Sequence, residues 1–362
     1  MEVQSNSLFS HQSQAASGGK SIPENDAYLK KVVIAAEEKL KEEIAKNFDI
    51  TKLFNSSKSI RIADVGCSNG STTVLAVENI IDAIKSKYKS QGLVEDQTPE
   101  FEVFFNDLES NDFNTLFTFL PPNREYFAAA LPGSFYKPLL PKQSIHIVHS
   151  SSSLNWLSEI PKEVRDPNSP AFNKGKIHYV NAHKEVMEAY AAQYDKDWNT
   201  FLCARAQDVV VGGLMALSVP AVSDVKLSLD THTGRNFLIL ESCLTDMTKL
   251  GVISEEQLDS FNLGLYHSSP EELIEIIERN GMFSIESMGK IVDGFNAKAI
   301  PVEKRALVLK GGMGGIFKRH FRNDELIDEV FDRFAKKVTD SPLNLQCTDH
   351  KMVIFLLLKR KP

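Results

Sequence analysis

A glycine-containing turn between two apolar segments is the first part of this sequence with residues suited to ligand chemistry. Residues 60–64 form a short apolar run, residues 64–70 read Asp-Val-Gly-Cys-Ser-Asn-Gly, and apolar residues then recur at helical spacing. This order predicts a strand, a turn and a helix, with the glycines at the carboxyl end of the strand. In an open α/β sheet, ligands bind at that end, where a glycine lets them approach the backbone.

The spacing of the glycines indicates which class of ligand the turn would take. It is Gly66-x-x-x-Gly70 rather than G-x-G-x-x-G, and no lysine follows as in a phosphate loop. Both observations count against NAD and ATP, and therefore against an NAD-dependent oxidoreductase. A cofactor without phosphate groups needs no cationic side chains around it, and the turn fits a cofactor of that class.

An aspartate follows the second predicted strand. Residues 101–105 are apolar and lead into Asn106 and Asp107. A carboxylate offers two acceptor oxygens, which suits Asp107 to hold both hydroxyls of a ribose. The alternative interpretation is that Asp107 is a helix N-cap before a helix over residues 113–117.

The elements that would position these residues alternate along the chain. Helical periodicity runs from Tyr28 through Glu43, and the strands that follow are mostly separated by helical patterns. This alternation predicts an α/β fold with a doubly wound, mainly parallel sheet. The predicted strands cover residues 60–64, 101–105, 126–130, 144–148, 213–219 and 351–358.

Two long stretches exceed an ordinary crossover between strands. They contain helix-like segments, including residues 236–250 and 270–280, and we therefore predict a helical cap beside the sheet. The predicted organisation is a mobile arm over the site (1–27), a cofactor-binding domain (28–154, 205–224 and 300–362) and the cap (155–204 and 225–299).

Composition restricts the partners of the chain. The 362 residues carry a net charge of −7, which favours a small-molecule ligand over nucleic acid. The longest apolar run, residues 352–358, is too short to span a bilayer, and no basic and apolar leader is visible, so we expect no membrane partner. The four cysteines form no CxxC pair, which indicates a reducing, cytoplasmic location.

Longer strings of the sequence carry a family resemblance. They are Ala63-Asp-Val-Gly-Cys-Ser-Asn-Gly70, Phe105-Asn-Asp-Leu108, Asn111-Asp-Phe-Asn114, Leu116-Phe-x-x-Leu-Pro-Pro-Asn-Arg124, Pro132-Gly-Ser-Phe-Tyr136, His149-Ser-Ser151, Trp156-Leu-Ser158, Asn173-Lys-Gly175, Arg205-Ala-Gln207 and Asp259-Ser-Phe-Asn-Leu263. In this order they resemble the SABATH methyltransferases of plants, named for salicylic acid, benzoic acid and theobromine methyltransferases. The chain looks most similar to the branches that esterify loganic, farnesoic or related isoprenoid-derived acids.

The resemblance implies a Rossmann-like sheet with a helical cap, S-adenosylmethionine as the methyl donor and a homodimer. The roles of the donor-binding residues follow from their positions in the family strings. The residues implied at the donor are Asp107 and Leu108 at the ribose and adenine, Ser134 and Phe135 at the adenine, Gly66, Cys67 and Ser151 along the methionine, and Asn25 from the arm.

The resemblance also implies that the cap forms an acceptor pocket for a small carboxylic acid. Trp156 is the candidate catalytic residue, because its indole N–H, a donor-only group, would hold and orient the carboxylate. Leu29, Ser152 and Asn155 would shape the pocket. Without the resemblance, Trp156 and Phe135 would more often be core aromatic residues.

A metal site is a further implication of the resemblance. In some family members, residues that match Asn173, Asp259 and the carbonyl of Phe261 hold a Mg²⁺ beside the site, with the oxygen ligands that this hard ion requires. Here such an ion would be structural. Without the resemblance, Asp259 in Leu-Asp-Ser-Phe-Asn is ordinary turn chemistry.

The arm and the glycine turn depart from the family pattern. Ile22 replaces a Tyr that closes over the cofactor, Asp26 replaces a Ser near its carboxylate, and Leu29 replaces a Gln that binds the acceptor carboxylate. Residues 71–72 are Ser-Thr where the family usually has Pro-Asn, and Ser152 stands where many members have Tyr.

Two functions are compatible with these observations. The first is an S-adenosylmethionine-dependent methyltransferase that esterifies the carboxylate of a small plant metabolite, an isoprenoid, iridoid-like or aromatic acid. Such a nucleophile is already ionised at neutral pH, which agrees with the lack of a Ser/His/Asp or paired-carboxylate motif. The second is a derived family member that has lost methyl transfer and catalyses another reaction on a small plant metabolite, or only binds it.

Overall fold

The first strand, β1 (Ser59–Val65), is an inner strand of a sheet that is covered on both faces. Ile60 and Ile62 pack into one hydrophobic core, and Ala63 and Val65 pack into the other. Successive side chains of a strand point to opposite faces, so a strand buried on both faces has a near-continuous apolar sequence. This explains why β1 could be predicted.

A computed structural model describes residues 23–54, 59–92, 99–222, 231–293, 302–340 and 351–362. After β1, the strands are β2 (Glu100–Asp107), β3 (Phe127–Pro132), β4 (Ile145–Ser151), β5 (Val209–Val222), β6 (Phe283–Asp293) and β7 (Lys351–Arg360). The helices are α1 (Pro23–Asn47), α2 (Ile50–Phe54), α3 (Ser71–Ser90), α4 (Phe113–Thr118), α5 (Lys184–Asp208), α6 (His232–Lys249), α7 (Glu255–Asp259), α8 (Pro270–Asn280), α9 (Val302–Phe321) and α10 (Asp324–Asp340), with a 3-10 turn at Lys162–Arg165.

The strands form a seven-stranded sheet in the order β3-β2-β1-β4-β5-β7-β6. Strands β1 to β5 pair in parallel, whereas β7 is antiparallel to both of its neighbours, β5 and β6. The chain moves outward from β1 to β3 and then returns to the other side of β1 at β4. Ligands of such sheets bind at this reversal, outside the carboxyl ends of β1 and β4. The predicted doubly wound, mainly parallel, Rossmann-like sheet is confirmed.

Helices cover both faces of the sheet. Apolar residues of α1, α2 and α3 share one core with the sheet, and those of α5, α6, α8, α9 and α10 share the other. Strand β7 contributes to both, because Phe355 and Leu357 face the first core while Leu356 and Leu358 face the second. None of the described helices combines the length and the hydropathy needed to cross a bilayer.

Some elements differ from the sequence-based expectations. Strand β6 lies in a stretch expected to be helical cap, and its polar, glycine-containing sequence gives no clear strand pattern. Helix α1 begins at Pro23 rather than near Tyr28, because a proline fits the first turn of a helix. Helices α9 and α10, which were grouped with the cofactor domain, pack on the cap helices: Lys337 Nζ lies 2.6 Å from Asp246 Oδ2 of α6. The division into domains stays a prediction.

A buried ion pair at the end of α5 holds the segment after β3. The Arg205 guanidinium donates to the carbonyl oxygen of Phe135 (2.7 Å) and to Asp208 Oδ2 (2.7 Å). The same Asp208 oxygen accepts the N–H of Leu139 (3.1 Å). The side chains of Arg205 and Asp208 are only 1% and 2% exposed, so water does not weaken the pair.

Replacing Arg205 with alanine should lower the free energy of unfolding by about 3–5 kcal/mol, because the Asp208 carboxylate would stay buried without its partner. Urea denaturation measures the change. The matched control is Arg279→Ala, since Arg279 pairs with Asp195 at a surface where the two side chains are 61% and 44% exposed. That substitution should change the free energy by less than about 1 kcal/mol. Equal effects of the two substitutions would contradict this account.

One carboxylate ties the start of α1 to the start of α3. Asp26 accepts hydrogen bonds from the hydroxyls of Ser71 (2.7 Å) and Thr72 (2.5 Å). The N-cap of α3 is Gly70, which has no side chain for capping, and a negative charge is stabilising near a helix N-terminus. The departures from the family pattern at residue 26 and at residues 71–72 therefore belong to one hydrogen-bonded cluster.

The variant Asp26→Ala should lower the free energy of unfolding by on the order of 1–2 kcal/mol, because two hydroxyls lose their acceptor. Since Thr72 and Asp26 interact directly, the effects of Asp26→Ala and Thr72→Val should differ from additivity by at least about 0.5 kcal/mol in the double variant. Denaturation of the four proteins tests this coupling. Glu38→Ala, at an exposed position of the same helix, is the control. Strict additivity would mean that the cluster does not act as a unit.

Candidate active site

The turn after β1 packs tightly against the turn after β4. Gly66 has a φ of 75°, and the N–H groups of Gly66 and Cys67 both donate to the Asn106 carbonyl oxygen (2.8 and 2.9 Å). A β-carbon on residue 66 would lie 2.3 Å from Ser153 Oγ, in the turn that follows β4. Only glycine has both this backbone conformation and this space. The carboxyl ends of β1 and β4 therefore meet at Gly66.

The Asp107 carboxylate lies at the tip of β2 and is almost fully buried, with 5% exposure. One carboxylate oxygen accepts the N–H of Ser68 (2.8 Å), and the other accepts the N–H of Leu108 (2.7 Å). Each oxygen retains a further lone pair, because a carboxylate can accept about four hydrogen bonds. The N-cap of α4 is Asp112, whose side chain accepts the N–H of Thr115, so the alternative role suggested for Asp107 is filled by another residue.

Burial raises the pKa of Asp107 from 3.8 to about 6. The hydrogen bonds from the backbone N–H groups of Ser68 and Leu108 oppose this rise, and the nearby charge of Asp64 adds to it. A ligand that donates hydrogen bonds to the carboxylate would favour its ionised form and lower the pKa again. A ligand with hydroxyl groups would therefore stabilise the ionised form of Asp107.

The segment with Ser134 and Phe135 is held beside Asp107. The N–H of Gly133 donates to the Asp107 carbonyl oxygen (2.8 Å), and Asn106 Nδ2 donates to the Gly133 carbonyl oxygen (2.9 Å). The Phe135 ring is 2% exposed and belongs to the core, yet its edge reaches to 3.6 Å from the position of a β-carbon on Gly66. Phe135 therefore both fills the core and borders the glycine turn.

The turn after β4 carries Ser151, expected along the methionine, and Ser152, Asn155 and Trp156, expected on the acceptor side. The Oγ atoms of Ser151 and Ser152 and the Oδ1 atom of Asn155 are buried, and none of them has a hydrogen-bond partner in the described part of the chain. Trp156 is half-buried next to them. Buried polar atoms are nearly always paired, so this group of unpaired atoms makes the turn a candidate ligand-binding position.

The turn after β4 is bonded both to the segment that follows β3 and to the cap. The Tyr136 hydroxyl donates to the Trp156 carbonyl oxygen (3.0 Å). On the other side, the N–H of Tyr266 donates to the Asn155 carbonyl oxygen (2.9 Å), and Trp156 forms an isolated bridge with Leu265. The cap segment therefore covers the carboxyl edge of the sheet next to the glycine turn.

Two groups near the site were not assigned a role from the sequence. Asp64, 2% exposed, bonds His149 Nδ1 (2.7 Å) with one oxygen and the Thr73 hydroxyl with the other, and thereby links β1, β4 and α3. Arg205 holds the Phe135 segment from behind. Asp64 and Arg205 both lie in sequence motifs that resemble the family, and this was the one indication of their importance in the sequence. The motifs do not indicate which segments of the fold the two side chains support.

The Cys67 thiol is buried, and burial, aided by the charges of Asp107 and Asp64, raises its pKa well above the usual value. The thiol is therefore neutral and points its hydrogen toward the Ser68 carbonyl oxygen (3.3 Å). Because the thiolate is the nucleophilic form, Cys67 is not a competing nucleophile in this site.

The residues expected from the arm are less completely described. Leu29 is half-buried in the first turns of α1, after Asp26. Asn25 is part of the same helix, but its side chain lies outside the described residues, and Ile22 is outside them altogether.

The candidate metal ligands lie on two segments that are joined by hydrogen bonds. Asn173 Nδ2 donates to Asn262 Oδ1 (2.8 Å), and Asp259 Oδ1 accepts the N–H of Gly175 (2.7 Å). Among the described residues, Asn173 Oδ1 is buried without a hydrogen-bond partner, whereas the Phe261 side chain is a core aromatic. Within the described ranges, no cluster of three or more His, Cys, Asp or Glu residues could hold a metal ion.

Comparison with known proteins identifies the family. A family model described as SAM dependent carboxyl methyltransferase matches residues 10–361. The chain is 40% identical to loganic acid O-methyltransferase of Catharanthus roseus over 97% of this chain and 94% of the relative. It is 37% identical to farnesoic acid carboxyl-O-methyltransferase of Arabidopsis thaliana over 95% of this chain and 97% of the relative.

A solved structure agrees with the sequence relatives. The structure of loganic acid methyltransferase with SAH superimposes with a TM-score of 0.89, at 40% sequence identity, over 96% of this chain and 99% of that chain. The resemblance to the SABATH family is confirmed. These matches establish that the chain is a methyltransferase of the S-adenosylmethionine-dependent carboxyl methyltransferase family.

Proposed function

We propose that this methyltransferase esterifies the carboxylate of a small, largely apolar plant acid of the isoprenoid, iridoid-like or aromatic type. The unpaired polar atoms in the turn after β4 carry the proposal, because they lie where β1 and β4 meet and include the Ser152 hydroxyl, which can donate to an anion. The relatives named for loganic acid and farnesoic acid support an isoprenoid-derived acceptor.

The proposed reaction is an in-line displacement. S-adenosylmethionine supplies a sulfonium methyl group, and the acceptor supplies an ionised carboxylate, so no general base is required. The protein contributes alignment and removal of water, which can lower a barrier by several kcal/mol when two reactants are held at contact distance. A neutral Cys67 leaves the acceptor as the nucleophile next to the donor.

The donor is proposed to bind across the carboxyl ends of β1 and β2. The space at Gly66, which a β-carbon would fill, supports contact of the methionine part with Gly66, Cys67 and Ser151. The free lone pairs of Asp107 support the binding of the two ribose hydroxyls. The further proposed contacts are Leu108, Ser134 and Phe135 at the adenine and Asn25 from α1.

The acceptor carboxylate is proposed to bind the indole N–H of Trp156. No hydrogen bond joins the Trp156 side chain to another described residue, and the half-buried tryptophan belongs to the same turn as the unpaired hydroxyls. Leu29, Ser152 and Asn155 are proposed to line the same pocket. The replacement of a glutamine by Leu29 makes this pocket more apolar and suits a hydrocarbon body on the acid.

A structural Mg²⁺ and a homodimer are finer parts of the proposal. The buried, unpaired Oδ1 of Asn173 would suit a hard cation, with Asp259 and the Phe261 carbonyl as further oxygen ligands.

The edge strand β3 exposes apolar residues, among them Phe127 at 65%, and an exposed apolar edge supports association with a second copy. A cytoplasmic location stays a prediction.

Replacing Trp156 with phenylalanine should lower kcat/KM for the acid by about 10-fold to 100-fold, the effect of losing a hydrogen bond to a charged group. The affinity for S-adenosylhomocysteine should not change, because Trp156 is assigned to the acceptor alone. Transfer of a labelled methyl group measures the first quantity and calorimetry the second.

The other tryptophan, Trp198, is the control: it is 2% exposed in the core, so Trp198→Phe should reduce stability and leave the KM for the acid unchanged. The proposed function would be wrong if the wild-type protein bound S-adenosylhomocysteine but methylated none of a broad panel of acids.

The affinity for S-adenosylhomocysteine should decrease as the pH falls through about 6. Ribose hydroxyls donate to the ionised Asp107 carboxylate, so binding favours the deprotonated form of this group. The affinity therefore reaches its full value only above the pKa of Asp107 in the ligand-free protein. Calorimetry between about pH 5 and pH 8 measures the profile.

The variant Asp107→Asn should bind about 10-fold to 100-fold more weakly at the upper end of this range and show a flat profile. Asp112→Asn, at the exposed N-cap of α4, should behave as the wild type. A wild-type affinity that is constant over the whole range would exclude Asp107 as the ribose ligand.

A further inference from the structure

Ser68, in the glycine turn, adopts a backbone conformation that is unfavourable for a residue with a side chain. Its φ is 57°, in the left-handed region that residues other than glycine rarely occupy. Strain of this kind persists only where the surrounding structure holds the residue in place. Ser68 is also the residue whose N–H donates to Asp107 Oδ2 (2.8 Å), so the strained conformation directs a donor at this carboxylate.

The side chain of Asn111 holds Ser68 from the loop that follows β2. Asn111 is 7% exposed, and its Nδ2 atom donates to the Ser68 carbonyl oxygen (3.0 Å). Because a carbonyl oxygen only accepts hydrogen bonds, this contact fixes which end of the amide faces Ser68. The N–H of Asn111 donates to the Leu108 carbonyl oxygen (2.9 Å), which places the amide relative to the tip of β2.

These contacts close a ring around the Asp107 carboxylate. One carboxylate oxygen accepts the N–H of Ser68 and the other accepts the N–H of Leu108, while Asn111 joins Ser68 to Leu108. The Cys67 thiol also donates to the Ser68 carbonyl oxygen (3.3 Å), but a thiol is a weak donor. The amide of Asn111 is therefore the strong contact that holds Ser68 from the side opposite to Asp107.

We propose that Asn111 is a positioning residue for cofactor binding: it holds Ser68 in the left-handed conformation and thereby keeps the Ser68 N–H directed at the Asp107 carboxylate. The inference rests on the proposed role of Asp107 at the ribose. A donor that is already in place before the ligand arrives favours the ionised carboxylate, the form that accepts hydrogen bonds from ribose hydroxyls.

The charges around Asp107 give the Ser68 N–H its importance. Burial raises the pKa of Asp107 to about 6, the hydrogen bonds from Ser68 and Leu108 lower it, and the charge of Asp64 on β1 raises it. The Cys67 thiol, the other titratable group that faces Asp107 in the described part of the chain, is neutral. Neither Asp64 nor Cys67 can replace a lost hydrogen bond from Ser68.

The test is the pH profile of S-adenosylhomocysteine affinity in Asn111→Ala, measured by calorimetry between about pH 5 and pH 8. Without the amide, Ser68 is free to leave its strained conformation, and the midpoint of the profile should rise by about one pH unit. The affinity should then be about 10-fold weaker than that of the wild type at the lower end of the range and less than about 2-fold weaker at the upper end. Asn114→Ala, at an exposed position of α4, is the matched control and should keep the wild-type profile.

A second substitution tests whether Asn111 acts through the conformation of Ser68. Glycine adopts the left-handed conformation without strain, so Ser68→Gly should need the amide less. In the double variant Ser68→Gly with Asn111→Ala, more than half of the midpoint shift caused by Asn111→Ala should be recovered.

A midpoint in Asn111→Ala that equals the midpoint of the wild type would overturn the inference and leave the role of Asp107 intact. A loss of affinity that is the same at every pH and is not recovered in the double variant would also overturn it, because the amide would then support the fold alone. A wild-type affinity that does not change with pH is the distinct result that would remove the proposed role of Asp107, and the inference with it.

Discussion

The contact between Gly66 and Ser153 is the constraint on which the site depends. A side chain at residue 66 would overlap Ser153, whose hydroxyl instead donates to the Gly66 carbonyl oxygen (3.0 Å). This contact sets the distance between the ends of β1 and β4, and therefore the distance between the cofactor position proposed at the first and the acid position proposed at the second. In a displacement reaction the separation of the two reactants largely determines the rate. The glycine is thus required for alignment as much as for the shape of the turn.

The strands and helices with strong apolar patterns could be predicted from the sequence. Strands buried on both faces, such as β1, have continuous apolar runs, and the helix at Pro270–Asn280 has a proline at its start and Gly281 at its C-cap. Strand β6 could not be predicted, because it lies at the edge of the sheet and is stabilised by pairing with β7, a partner distant in sequence. Local pattern carries no information about such a partner.

The sequence predicted those residues of the candidate site that directly follow a strand. Asp107 and the glycine turn could be placed because the carboxyl ends of parallel strands share one edge. The cluster of Asp26 with Ser71 and Thr72 could not, since three separate departures from a family pattern do not reveal that the side chains touch. The support of Phe135 by Arg205 was likewise hidden, because the guanidinium binds backbone carbonyl oxygens, which are the same for every residue type.

The position of β7 has a consequence for the order of assembly during synthesis on the ribosome. Strand β7 is the last element of the described chain, yet it lies between β5 and β6 and pairs with both. Until β7 has left the ribosome, β6 has no neighbour in the sheet and β5 has an open edge, although both strands have already been made. Exposed edges of this kind favour association with other chains. From the completion of β5 until β7 emerges, the nascent chain therefore carries an unpaired sheet edge that only β7 covers.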